Sequence, residues 1–293
     1  MSESYGTISN GESRAENGIT GQNDETQALL APKPGSRSWL RTRLGSDVRR
    51  DWADVMLLAC YIITGILDSA SISTWGAFVS MQTGQDFTYH RLCNHHTDEF
   101  AGNTVYLGLG PTAGTNRWKK SGTSILSFAI GSFLFARLHR AFTSSPRRKW
   151  VFCLSFGIQT IFIVAAASIL TWGPKGAGPD DVPWYVIVPI ALVAFQSCGQ
   201  AVASRALKFN ALTSVVLTSI YCDLFSDAGL FVPSNVERNR RVAAPVLLLI
   251  GAIIGGIIAK SELGTSGALW IAALLKLLVM FGWAVWPADE GSS

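Results

Sequence analysis

Polar and apolar positions divide this chain into two regimes. Residues 1 to about 50 show no apolar periodicity, whereas from about residue 54 to residue 286 long apolar runs alternate with short polar stretches. A helix needs about 20 largely apolar residues to cross a hydrocarbon core about 30 Å thick. Six runs approach or meet that length: Asp54–Ser71, Gly122–Leu138, Trp150–Trp172, Pro183–Ser204, Val242–Ile258 and Ala268–Trp286. Two shorter apolar pieces remain. One is Trp75–Met81, which resumes at Val105–Leu109 after a polar interruption; the other is Leu212–Phe231. The pattern predicts an all-α polytopic membrane protein of about six transmembrane helices, with both short pieces broken or re-entrant.

Charge placement bears on the topology. Cytosolic loops of membrane proteins carry an excess of Lys and Arg. With six spans, Arg41, Arg43, Arg49 and Arg50 before the first run share a side with Arg137, His139, Arg140, Arg147, Arg148 and Lys149, and with Arg238, Arg240 and Arg241. That side is predicted to be cytosolic, and the loop with Asp180 and Asp181 faces out. Arg117, Lys119 and Lys120 then fall on the outer side, which conflicts with the rule. If both short pieces cross instead, that conflict vanishes but the larger cluster of 137–149 moves outside. Six spans satisfy more of the charges.

The stretch Tyr61–Gly84, YIITGILDSASISTWGAFVSMQTG, sets a carboxylate, Asp68, in the middle of an apolar run and follows it with Ser69, Ser71, Ser73 and Thr74. A charge at bilayer depth costs about 2.5–3.5 kcal/mol on insertion scales and marks a functional position by default. Helices interrupted by Gly and Ser are how many transporters build a midplane site. The alternative is a carboxylate that only caps or pairs at a helix break. Its candidate ion-pair partners are Lys276, midway along the last run, and Arg205, at the end of the fourth. Lys276 alternatively snorkels to an interface.

The two halves of the membrane region share a pattern. Gly65 and Asp68 precede Phe78–Thr83 in the first; Gln196, Gly199 and Gln200 precede Thr213–Thr218 in the second. Each broken stretch leads to a Gly-bearing run, with Gly131 in one and Gly251, Gly255 and Gly256 in the other. With three spans per half, the second repeat must be inverted. The boundaries read as a tail over 1–50, repeat one over about 54–172 with a polar insert at 85–102, repeat two over about 183–286, and a short tail at 289–293. Substrate-lining candidates are Asp68, Thr83, Asn103, Gln200, Asn210, Thr213 and Thr218; the competing reading is interhelical glue. Gln159 reads as glue. Gly131, Gly251 and Gly255 read as close-packing positions, and Trp150, Trp172, Trp184 and Trp286 as an interfacial belt.

Composition agrees with the membrane class. Of 293 residues 48% are hydrophobic and only 15% charged, against about 25% charged in soluble domains. The basic residues cluster at the ends of runs and form no nucleic-acid stripe. The five cysteines lie apart without a CxxC pair, so neither a disulfide framework nor a metal site is predicted. His90, His95 and His96 with Asp98 and Glu99 lack helical ligand spacing. No Walker loop, GxSxG or HExxH pattern is present, so no enzyme activity and no cofactor are expected. The polar N-terminal stretch reads as a disordered cytosolic tail, with no cleavable signal peptide expected. Within it Glu25, Leu29 and Leu30 fit an acidic dileucine motif, which implies a sorting adaptor as partner and an endosomal or vacuolar membrane, with the plasma membrane as the alternative.

GILDSAS, then FVSMQTG, and later NTVYLGLG resemble the YoaK-type integral membrane proteins, a family of unknown function found in bacteria and fungi. FQSCGQAVASRALKFNALTSVVLTSIYCDL resembles the second half of that family in its fungal form. The resemblance spans about residues 50–286 and implies a multi-pass membrane protein; it brings no substrate, activity or catalytic residue. One departure is plain: the family's contiguous TGN is split here between Gly84 and Asn103. The intervening QDFTYHRLCNHHTDEFAG is too polar for hydrocarbon. It reads as a polar loop, as a functional lid, or as a retained intron. Gly84 as GGT, Thr97-Asp98 as ACT-GAC and Ala101 as GCA would supply donor, branch site and acceptor around a length divisible by three. Excision would restore MQTGNTVYLGLG.

The sequence thus predicts a small secondary transporter or permease for an unidentified small molecule or ion, held in the lipid bilayer. Its alternative is a non-transporting membrane scaffold whose polar residues are structural.

Overall fold

The computed structural model describes residues 44–82, 87–88, 99–100, 102–141, 147–178, 180–232 and 234–289. The tail with Glu25, Leu29 and Leu30, position Thr83, and His90, His95 and His96 lie outside the described residues. Apart from one two-residue antiparallel ladder, Phe87–Thr88 with Glu99–Phe100, the described chain is helical.

Among the described residues six helices are long and apolar enough to cross a membrane: α1 (Ala53–Trp75), α3 (Arg117–Ala141), α4 (Lys149–Trp172), α5 (Trp184–Ala206), α7 (Val236–Lys260) and α8 (Gly264–Val285). They are the six runs read from the sequence, most of them longer by a turn at one or both ends. Between them lie two short helices, α2 (Asn103–Leu109) and α6 (Thr218–Phe225). At 1.5 Å per residue these reach only about 10–12 Å, well short of a membrane core. The two short apolar pieces are therefore half-helices within a six-span bundle.

Each short helix follows a long one across an irregular segment, so α1, break, α2, α3, α4 has the same element order as α5, break, α6, α7, α8. The packing pairs match as well: α1 lies on α7, α3 on α5, α4 on α8, α4 on α5, and α8 on α1. Glycines allow the closest of these approaches. A Cβ on Gly65 would sit 2.2 Å from the Leu248 carbonyl oxygen, and one on Gly251 would sit 2.2 Å from that of Ile62. On Gly131 it would sit 2.6 Å from Phe195 O and Cys198 Sγ. Small residues at helix crossings let backbones meet in lipid, where no hydrophobic force drives helices together.

One end of the bundle carries Arg50, Arg147, Lys149 and Arg240, while Arg117, Lys119 and Lys120 start α3 at the opposite end. Val48 N–H donates to Arg147 O at 2.8 Å, Lys149 N–H to Ser46 O at 3.1 Å, and Asp289 N–H to Asp47 O at 3.0 Å. These bonds tie the approach to α1, the start of α4 and the exit of α8 together. Arg50 and Arg240 both lie over the Phe209 ring, which brings in the exit of α5 and the start of α7, and Arg240 pairs with Asp54 at 2.8 Å. Arg117 starts α3 and packs on Tyr106 of α2, donating to its hydroxyl at 3.2 Å.

The insert 85–102 immediately precedes α2. Thr104 N–H donates to Gln82 O at 3.2 Å, and Asn103 Nδ2 donates to Gln82 Oε1 at 2.8 Å. Residues 82 and 104 are 22 apart; without the 18 positions of the insert they would be four apart, the spacing of an α-helical bond. The two sides of the insert therefore meet in the register of one continuous helix.

Candidate functional site

The first break is built by Gly76 and Asp68. Gly76 ends α1 in the left-handed conformation, φ 66°, which glycine adopts without a Cβ clash, and its N–H caps Ile72 O at 3.0 Å. The chain then turns back beside α1, where Asp68, about two turns from the helix end, receives it. Asp68 Oδ1 accepts the backbone N–H groups of Val79 (2.9 Å) and Ser80 (2.8 Å); Oδ2 accepts that of Met81 (3.2 Å). Three successive amides aimed at one carboxylate form an anion-binding nest from the chain's own backbone. Ser71 Oγ donates to Ala77 O, and Ser197 Oγ of α5 donates to Val79 O at 3.0 Å, so both long helices grip this segment.

Asn103, fully buried, closes the outer side of the break. It accepts from Phe78 N–H at 3.1 Å and donates to Phe78 O at 2.6 Å, while Ser121 of α3 donates to its Oδ1 at 3.3 Å. Gln82 Nε2 donates to Ser124 Oγ of α3 at 3.1 Å.

The second break is held by Gln200. Its Nε2 donates to Thr64 Oγ1 of α1 at 2.5 Å and to Ser214 Oγ at 2.6 Å, while its Oε1 accepts from Lys276 Nζ of α8 at 2.7 Å. Ser214 takes a left-handed φ of 59°, a sparsely populated conformation for a non-glycine residue, at the point where Gln200 fixes its hydroxyl. Lys276 is fully buried, and its ammonium lies 5.3 Å from the Phe156 ring centroid. Among the described residues no carboxylate lies within 4.0 Å of it.

These contacts correct three expectations. Asp68 and Lys276 do not pair: the carboxylate is taken up by backbone amides and the amine by an amide oxygen and an aromatic face. Arg205 is exposed at the end of α5, past the buried part of the helix. Asn210 is also exposed, because α5 has ended before it and the chain there runs along the basic end of the bundle. Asn103, Gln200 and Thr213 are buried as the sequence suggested. Thr64, Ser197 and Ser214 were missed. Thr64 stands one turn before Asp68 on α1, a spacing that places it on the same face.

A cavity of about 580 Å³ opens between α1, both breaks, α6 and α7. Gly65, Asp68 and Ser69 line it from α1, Phe78 and Met81 from the first break, and Val215–Thr218 from the second; Tyr221, Pro245 and Leu249 continue the wall. Among the described residues Asp68, Ser69, Thr218 and Tyr221 are the polar side chains in an otherwise apolar lining, and no Lys, Arg or His is among them. Asp68 and Thr218 reach this cavity, and Gln200 stands one helix turn of α1 away through Thr64. The described residues contain no group of three or more metal-ligating side chains.

The family model described as a protein of unknown function, DUF1275, matches residues 86–282. No curated protein and no solved structure matches the chain. The matched stretch starts beyond GILDSAS and FVSMQTG, so Asp68 and the first break stand outside it, whereas Asn103, Gln200, Thr218 and Lys276 stand inside. Because it covers more than half of the sequence, the match shows that this chain belongs to the DUF1275 family.

Proposed function

We propose that this protein is a small secondary transporter or permease whose site is the cavity between its two broken segments, around Asp68 and Gln200. The carrying observation is that cavity: about 580 Å³ in volume, walled by two non-helical segments, with a buried carboxylate in its lining. Irregular backbone at membrane depth is tolerated only where it is buried in protein or faces a cavity. Two halves of matching element order fit the inverted repeats that secondary transporters use. Polar groups near the centre also exceed what the bundle pairs. Ser80 Oγ and Gln196 Oε1 are buried without a hydrogen-bond partner among the described residues, an arrangement native structures otherwise avoid. The reading assigns no enzymatic step.

The basic end of the bundle is taken as cytosolic under the positive-inside rule, and the tail carrying Glu25, Leu29 and Leu30 as the docking point of a sorting adaptor. An endosomal or vacuolar membrane follows, with the plasma membrane as its alternative.

A scaffold reading draws on a different observation. Asp68 accepts three backbone N–H bonds and Gln200 uses both ends of its amide, so each explains its own burial by holding a break in place. Metabolite profiling of a deletion strain separates the two. A transporter leaves one class of small molecule displaced across the membrane and restored by the wild-type gene; a scaffold leaves pools unchanged.

A further inference from the structure

Resting on the transport reading above, we propose the ligand class of the cavity: a monovalent organic cation with an apolar body, an amine or a quaternary ammonium. Three features of the lining lead there. The first is its sign: among the described residues Asp68 is the one charged side chain in the wall, and no described Lys, Arg or His balances it from within the cavity. Lys276, buried and bonded to Gln200, is turned to that amide and to Phe156 and is not part of the lining. The second is how the carboxylate is held. Val79 and Ser80 both donate to Oδ1 at 2.8–2.9 Å, while Oδ2 receives only Met81 N–H at 3.2 Å, which leaves acceptor capacity on that oxygen. The third is the rest of the wall, where Ile72, Phe78, Val216, Leu248 and Leu249 offer hydrocarbon and Ser69, Thr218 and Tyr221 offer only hydroxyls. An anion meets a carboxylate there, and a small hydrated ion meets too few oxygens to replace its water. An apolar body carrying one positive charge satisfies both parts of the surface.

The test uses the full chain in lipid nanodiscs and three probes of similar shape: benzyltrimethylammonium, its neutral isostere neopentylbenzene, and benzenesulfonate. Binding is read by calorimetry. The expected result is benzyltrimethylammonium bound at least tenfold more tightly than the isostere, with no binding of the sulfonate. In Asp68→Asn, Oδ1 still accepts from Val79 and Ser80 and only the weaker Met81 N–H bond is lost to the new NH2, so the fold should be retained while the preference for the cation disappears. Equal binding of cation and isostere overturns the proposal and marks the cavity as a lipid-chain site. Binding of the sulfonate, or of none of the three, overturns it as well. If Asp68→Asn does not fold, the comparison of cation and isostere on the wild type decides alone. Binding without flux in proteoliposomes retains the ligand class and sinks the transport reading; flux of another class of molecule does the reverse.

Discussion

Deleting residues 85–102 joins Thr83-Gly84 directly to Asn103 and reduces the chain between Gln82 and Asn103 from 20 residues to two. The structure says what this does to the fold. Gln82 and Asn103 are already in contact, and the Thr104 N–H to Gln82 O bond becomes an ordinary helical one, so α2 extends backwards with no new geometry. Gly84 takes the place of Gly102 before Asn103, and Gly102 O already accepts from Tyr106 N–H at 3.1 Å. What is lost among the described residues is a ladder of two pairs, too short to hold itself together in water. What is gained is loop-closure entropy: for a tenfold shorter connection, (3/2)RT ln 10 is about 2 kcal/mol. The deletion variant should therefore unfold later than the full chain in a denaturant titration in detergent, by about 2 kcal/mol, with equal or greater folded yield. A lower midpoint or a collapse of yield would refute the reasoning, because it would show that the insert holds the helices it interrupts. Sequencing the transcript adds the genetic arm: a dominant message without these codons is expected if they are a retained intron.

Three further outcomes follow from the fold. A cysteine at Gly176, on the turn between α4 and α5, should react with an impermeant reagent from outside the membrane, while one at Gly45, on the basic end, should not; the reverse pattern overturns the orientation. Gly251→Val forces a Cβ to within 2.2 Å of Ile62 O and should destabilise by about 1–3 kcal/mol through overpacking, whereas Gly256→Ala, with open space around it, should be neutral or stabilising by up to about 1 kcal/mol, both read by thermal unfolding. Asp227, in the turn between α6 and α7, is held below its ordinary pKa of 3.8 by the Gly229 N–H first, then the Asn235 amide and Arg241 and Arg238. A carboxyl lowered on folding contributes stability above its unfolded pKa and loses it as pH falls through the folded value. Asp227→Asn should therefore lower stability at neutral pH and flatten its decline below about pH 4; an unchanged acid limb contradicts the assignment.

The six spans were legible because an apolar run of membrane length has few other uses. Their ends were less so. α7 starts at Val236, six residues before the apolar run, because Asn235 caps it by accepting the Arg238 N–H at 3.0 Å and its first turns are charged. α3 likewise starts at Arg117, where the helix is polar. Asp68 stood out as a carboxylate in an apolar run, but its partners did not. They are backbone amides 11 to 13 residues on, brought back by a left-handed glycine, and nothing in the side-chain pattern distinguishes them from an ion pair. The Gln200–Lys276 bond joins residues 76 apart, and no local periodicity carries such a pairing. Asn103 was legible only through the split motif; its pairing with Phe78 explains in physical terms why an Asn stands there.

If the carboxylate of Asp68 acts on a ligand as well as on the first break, Asp68→Asn isolates that action. Oδ1 of the amide keeps the Val79 and Ser80 bonds and only the longer Met81 bond is lost, so the fold should survive with little loss of folded protein, while the charge in the cavity is gone. The measurement is complementation of a deletion strain by wild-type and Asp68→Asn genes, with metabolite pools and the amount of folded protein read in the same cells. The expected result is pools restored by the wild type and left displaced by Asp68→Asn at equal folded protein. Restoration of the pools by Asp68→Asn at that same level would contradict it.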